Sequence, residues 1–222
     1  MRGWFVTGTG TEVGKTIAAA VLARTLRGDG LDVAVFKPAV SGLDDYAASG
    51  ERPDHELLRL AAGSDQTDDE VAPYRYGPPV SPHLGAELAG ETIDPARLEA
   101  AARSAGARAD VLVCEGVGGF LVPLTPDYLV RDLARALALP VAIAAPPGLG
   151  TINHTLLTLA AVRAAELEAA AVVLTPWPAE PSEVERSNRE TIASLGDVPV
   201  LTLEPVAVAD PESWPELRLG GP

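Results

Sequence analysis

Two lysines occur in this 222-residue chain, and each stands where a phosphate group would need an ammonium. The other 15 basic residues are arginines. Lys15 closes a glycine-rich run, Gly8-Thr9-Gly10-Thr11-Glu12-Val13-Gly14-Lys15-Thr16, and Lys37 ends the apolar run that starts at Asp32. An ammonium on a flexible stem reaches phosphate oxygens as a point charge, which a planar guanidinium does not imitate. In a chain that uses arginine nearly everywhere, this selectivity marks Lys15 and Lys37 as catalytic candidates.

A strand, a glycine-rich loop and then Lys-Thr opening a helix is the P-loop arrangement. Its glycines let successive backbone N–H groups point inward around a phosphate, and the helix N-terminus adds partial positive charge. Thr16 offers a hydroxyl to Mg²⁺. The strict spacing asks for glycine where this chain has Thr9, with Gly8 and Gly10 on either side. Glu115 ends the apolar run from Val111 and precedes Gly116-Val117-Gly118-Gly119. An acid at the tip of a buried strand beside a P-loop suits Mg²⁺, directly or through water. Asp54, taken alone, reads as an acid complementing a helix N-terminus. Ser41, in Lys37-Pro38-Ala39-Val40-Ser41-Gly42, adds a hydroxyl beside the second ammonium. A second glycine-rich loop, Pro147 to Asn153, could cradle another anion or be a plain capped turn. His55, His83 and His154 show no metal-ligand spacing, and no nucleophile elbow is present.

To bring these residues together the chain needs a parallel sheet. Short β-branched runs alternate with alanine- and leucine-rich stretches, the pattern of a mostly parallel central sheet with helices on both faces. Strands are expected at Trp4–Thr7, Val33–Phe36, Val111–Glu115, Val141–Ala145, Ala171–Leu174 and Val198–Leu201. Helices are expected at Lys15–Arg27, Pro53–Ala62, Pro95–Ala105, Pro126–Leu137, Thr151–Leu167 and Ser182–Leu195. Pro53, Pro95 and Pro126 suit first-turn positions, with Asp94 and Thr125 as caps. The Ala72–Pro82 stretch reads as an irregular loop over the sheet edge. The segment after about residue 206 is weakly patterned and expected to be poorly ordered. The whole chain, residues 1–222, reads as a single α/β domain of P-loop NTPase type. Gly8 to Gly14, Lys37, Glu115, Gly148 to Asn153, Thr175 and Glu204 all follow strands, and in an open α/β sheet ligands bind in that crevice.

With 31 acids against 17 bases the formal charge is −14, which argues against a nucleic-acid surface. An anionic ligand must then be held locally against an unfavourable overall field. The single cysteine, Cys114, cannot form an internal disulfide, so a cytoplasmic location is expected. No signal-peptide region and no membrane-length apolar run are read in the sequence.

Taken in order, the glycine-rich run, Lys37-Pro38 with Ser41-Gly42, Ser81-Pro82-His83, Glu115-Gly116 with Gly118-Gly119, and Leu149-Gly150-Thr151-Ile152-Asn153-His154 resemble dethiobiotin synthetase of biotin biosynthesis. The shifted P-loop glycine is itself a feature of that family, and the resemblance runs to about Leu203. It implies a homodimeric ligase that makes dethiobiotin from 7,8-diaminopelargonate, CO₂ (or bicarbonate) and MgATP, with no nucleic-acid or membrane partner. By that likeness Lys15 and Lys37 are catalytic, and Thr16, Asp54 and Glu115 bind Mg²⁺. The nucleotide is held by Glu12, Val13, Gly14, Lys15, Thr16, Ile17, Asp54, Glu115, Gly116, Val117 and Gly118. Its base lies near Thr175, Pro176, Glu204, Pro205 and Val206. Thr11 and Ser41 bind the diamine, and Gly150, Thr151 and Asn153 bind its tail carboxylate in the partner subunit. Many family members have an asparagine where this chain has Thr175. A threonine cannot make the paired amide contact to adenine, which implies a relaxed nucleotide preference. Partition ATPases of the ParA or MinD type, cobyrinate-type amidotransferase synthetases and small-molecule kinases are the rival readings of such a P-loop.

Overall fold

Residues 1–220 are described by a computed structural model. In chain order the elements are β1 (Gly3–Gly8), α1 (Lys15–Gly28), β2 (Val33–Phe36), α2 (Leu43–Ser49), α3 (Asp54–Ala62), α4 (Asp68–Val71), α5 (Pro82–Ala89), α6 (Pro95–Ala107) and β3 (Val111–Glu115). There follow β4 (Pro123–Thr125), β5 (Tyr128–Leu129), α7 (Val130–Leu137), β6 (Val141–Ala145), α8 (Thr151–Ala164), β7 (Ala169–Leu174), α9 (Glu183–Gly196) and β8 (Val200–Thr202). Six strands form one parallel sheet in the order β2-β3-β1-β6-β7-β8. The first strand is therefore central. β1, β2, β3 and β6 are buried along their whole length, so both faces of the sheet are covered, as parallel sheets require.

Each face has its own apolar layer. Trp4, Val6, Val33, Val35 and Val113 point toward α1 and α3; Phe5, Phe36, Leu112 and Ile143 point toward α6, α7 and α8. The alternation along β1 is the period-two signature of a strand that buries both sides. At the sheet edge, the Gln66 side chain completes β2 as a strand would: Val35 N–H donates to its Oε1 at 2.8 Å, and its Nε2 donates to Val35 O at 3.0 Å.

Several local expectations are corrected. Helix α7 does not begin at Pro126 with Thr125 as cap; a β4–β5 hairpin occupies that stretch. The helix starts at Val130, where the Asp132 carboxylate accepts the Leu129 N–H at 2.8 Å. Pro53 precedes the first residue of α3 instead of occupying its first turn, whereas Asp94 does cap α6 through Ala96 N–H. The expected helix to Leu167 ends at Ala164, since Glu166 takes a left-handed conformation (φ 60°). Helices α2, α4 and α5 lie outside the expected helices. The loop before α5 lies alongside the segment after β2, pairing Val40 with Arg75. The tail is tethered: Trp214 and Leu217 are buried against α1, and Arg24 donates to the Trp214 carbonyl at 3.0 Å. Gly221 and Pro222 lie outside the described residues.

Candidate active site

The C-terminal tips of β1, β2 and β3 open onto a cleft of about 1070 Å³ lined by Lys15, Thr16, Lys37, Ser41, Asp54 and Glu115, among others. The P-loop shapes one wall. A Cβ on Gly8 would stand 2.6 Å from Val13 Cγ2 and 2.7 Å from Lys15 Cγ, so the loop closes over this position only without a side chain. That contact is a physical reason for glycine at position 8. Gly14 takes φ 87°, and a Cβ there would meet the Thr175 methyl at 2.5 Å. Glu12 also turns left-handed, at φ 58°. The Lys15 ammonium folds back to donate to Gly10 O at 2.7 Å. Burial lowers its pKa first, against the opposing pull of Glu115.

A buried charge knot forms the opposite wall. Lys37 donates from Nζ to Glu115 Oε1 and to Asp54 Oδ2, each at 2.6 Å. Thr16 Oγ1 donates to the same Glu115 Oε1 at 2.9 Å, and Tyr46 Oη donates to Asp54 Oδ1 at 2.9 Å. The Lys37 backbone is pinned by its N–H to Val71 O at 2.8 Å. Burial alone would lower the Lys37 pKa, but two carboxylates at contact distance overcome it and raise the pKa above the ordinary value. Glu115 is completely buried; desolvation outweighs the attraction of Lys37 and pushes its carboxyl up. Asp54 also resists burial, and the hydrogen-bonded Lys37 and Tyr46 hold it low.

The metal reading has its own test in this geometry. Glu115 Oε2 is buried with no hydrogen-bond partner among the described residues, beside a second carboxylate and a threonine hydroxyl. Oxygen donors converging on an under-satisfied anionic pocket are what Mg²⁺ selects. Thr16, Asp54 and Glu115 fit the ion.

The remaining candidates divide. Thr11, Glu12, Gly14, Ile17, Ser41, Val117 and Gly118 line the cleft with the charged residues. Val13 packs over Gly8, and Gly116 is buried against Val130 and Phe5. Thr175 lies against Gly14, and its neighbour Pro176 is exposed. Glu204, Pro205 and Val206 do not line the cleft, whereas Val208 and Ala209 do. The loop at Gly150, Thr151 and Asn153 does not reach the cleft of its own chain. There Thr151 is buried with its hydroxyl 3.4 Å from that of Thr155, Asn153 is exposed, and Gly150 caps α8 at φ 92°. Sequence reasoning missed Asn188. Its Nδ2 donates to the carbonyls of Pro147 and Gly148 at 2.9 and 3.0 Å, pinning that loop. A signal existed: Asn188, Ile192 and Gly196 share the buried stripe of α9, so a polar residue stood on an apolar face. Tyr46, within a stretch without pattern, gave none.

A family model described as an AAA domain matches residues 2–209. The ATP-dependent dethiobiotin synthetase BioD of Aromatoleum aromaticum is 41% identical over 99% of this chain and 98% of its own length. The chain belongs to the dethiobiotin synthetase family. Other members include the Anaeromyxobacter dehalogenans protein, 44% identical over 88% of this chain and 86% of its own, and that of Bacillus subtilis, 36% identical over 92% and 87%. Among solved structures, the cell division protein FtsY of Thermotoga maritima superimposes with a TM-score of 0.51 at 14% identity, over 94% of this chain and 63% of that one. This last likeness concerns the fold alone.

Proposed function

We propose that this chain closes the ureido ring of dethiobiotin from 7,8-diaminopelargonate, CO₂ and ATP, releasing ADP and phosphate. The observation that carries the reading is the meeting of Lys15, Lys37, Thr11 and Ser41 in one cleft of a chain from this family. One amine of the diamine captures CO₂, losing a proton and becoming a carbamate. A carbamate oxygen then takes the γ-phosphoryl group, and ADP leaves. The neighbouring amine attacks the carbamoyl carbon of this mixed anhydride, closes the five-membered ring, loses its proton and expels phosphate. Such transfer needs chiefly positioning and charge stabilisation.

The residues supply both. Lys15, at the mouth of the P-loop, serves the β- and γ-phosphates. Lys37 leaves its two carboxylates to bridge the carbamate and the transferring phosphoryl group, keeping its proton throughout. Thr11 and Ser41 hydrogen-bond the diamine or its carbamate. Thr16, Asp54 and Glu115 would hold Mg²⁺, which neutralises phosphate charge when bound. We assign the Gly150–Asn153 loop to a second subunit's site in a homodimer. Two facts support this: the loop does not line its own cleft, and Leu149 and Leu157 on it and the following helix are 96% and 62% exposed. Among the described residues no helix is long and apolar enough to cross a membrane. A cytoplasmic location suits the buried free thiol of Cys114.

The test is phosphate release with MgATP and bicarbonate, with and without 7,8-diaminopelargonate, with mass spectrometry of the product. Diamine-dependent release with a product carrying the urea carbonyl is expected. A phosphorylated product, or hydrolysis indifferent to the diamine, would overturn the assignment.

A further inference from the structure

Helix α2 is the least anchored element beside the cleft. None of its residues is buried, and it hangs between Gly42 and Gly50, both left-handed at φ 82° and 74°. Only its first turn is tied down, by Leu43 and Asp44 N–H groups donating to the Tyr76 and Gly77 carbonyls at 3.2 and 3.0 Å. Yet it sends one side chain into the charge knot. Tyr46 lines the cleft, and its hydroxyl reaches Asp54 Oδ1 at 2.9 Å.

We propose that Tyr46 is a positioning residue that fixes the rotation of the Asp54 carboxylate, so that Oδ2 faces the metal–nucleotide site. The proposal rests on the metal-binding reading of Asp54 given above. Its geometry is a division of labour between two oxygens. Oδ2 lies on the side of Lys37, Glu115 and Thr16; Oδ1 lies on the side of α2. In the knot the carboxylate is held from both sides. Once Lys37 turns to the carbamate, Tyr46 remains as the donor that keeps the carboxylate from rotating about its last bond. A hydrogen-bonded partner behind a ligating carboxylate orients it in this way. Because α2 begins directly after Ser41 and Gly42, the same bond connects the diamine side of the cleft to its nucleotide side.

Loss of a partner behind a ligand costs about ten- to a hundredfold in metal affinity, and a partly exposed phenol that water can replace belongs near tenfold. The variant is Tyr46→Phe, compared with the wild-type full chain. Mn²⁺ binding is titrated by electron paramagnetic resonance in the presence of ADP, and ADP binding is measured separately in EDTA. Melting temperature is recorded for both proteins. The expected result is an Mn²⁺ midpoint about tenfold higher for Tyr46→Phe, with ADP affinity in EDTA and melting temperature unchanged. A purely structural tyrosine would instead lower the melting temperature and weaken ADP equally with and without metal, overturning the proposal. An Mn²⁺ midpoint within about twofold of wild type would also overturn it. Should wild type itself bind ADP no better with Mn²⁺, the metal assignment of Asp54 falls, and Tyr46 falls with it.

Discussion

Lys37→Met isolates the charge knot, because methionine keeps most of the side-chain volume and deletes the ammonium. Two carboxylates then lose their counter-charge. Asp54 is about one quarter exposed and can be rehydrated; Glu115 is sealed, with a side-chain exposure of 0%. Breaking a buried pair by removing one partner costs about 3–5 kcal/mol, and with only Glu115 stranded the lower end, about 3 kcal/mol, applies. For a chain of this length each kcal/mol moves the melting temperature by about 2–4 °C, so a loss of about 6–12 °C is expected near pH 8. The pH dependence follows from Glu115, whose carboxyl is already pushed up by burial and is pushed further without Lys37. A carboxyl raised in the folded state favours folding fully below its unfolded value of about 4.3, and that contribution fades as pH rises through the folded value. The gap between wild type and variant should therefore shrink as the buffer is taken from about pH 8 toward pH 5. Adding Glu115→Gln should recover most of the lost stability, because the stranded charge is then gone. The assay is thermal unfolding of the three proteins across pH, with diamine-dependent phosphate release expected only from wild type. A gap under about 2 °C at pH 8, or one that widens in acid, would refute the buried-pair account.

Gly14→Ala should abolish detectable nucleotide binding while leaving the chain folded, since the new methyl meets Thr175 at 2.5 Å and φ 87° is strained for alanine; unchanged ADP affinity by calorimetry would contradict this. Asn188→Ala removes two hydrogen bonds that pin the Pro147–Gly148 turn, so the KM for the diamine should rise severalfold with kcat and nucleotide KM nearly constant. An equal fall in kcat for both substrates would instead indicate general unfolding. Thr175 presents a methyl to Gly14 and no amide to a base. ATP, CTP and GTP at matched concentration should then support phosphate release within about tenfold of one another, tenfold being about 1.4 kcal/mol of discrimination. A strong ATP preference would count against a relaxed site.

The lining of the cleft was largely legible because it is written in short spacings. A strand followed by a glycine-rich loop and Lys-Thr can fold in few ways, and Glu115 had to stand at the tip of a buried strand. The alternation of apolar runs likewise dictated a parallel α/β sheet, since strands covered on both faces read as continuous Val/Ala/Leu stretches. Boundaries were less well written. The β4–β5 hairpin displaced an expected helix start because the chain supplies Asp132 as a later cap for α7. The tail looked patternless, yet Trp214 and Leu217 bury themselves on α1, nearly two hundred residues away in sequence.

Local patterning named most of the groups that could act: two ammonium ions, the Glu115 carboxylate at a strand tip, hydroxyls and backbone cradles, whereas Asp54, opening α3, read alone as a helix-terminal acid. Only the tertiary structure decided who meets whom. It closed Lys37 onto Asp54 and Glu115 at once, brought Tyr46 behind Asp54, and held the Gly150–Asn153 loop away from its own cleft. The reason is physical. Propensity and spacing act over a few residues, whereas pairing across 78 positions, as between Lys37 and Glu115, depends on the order of strands β2, β3 and β1 in the sheet.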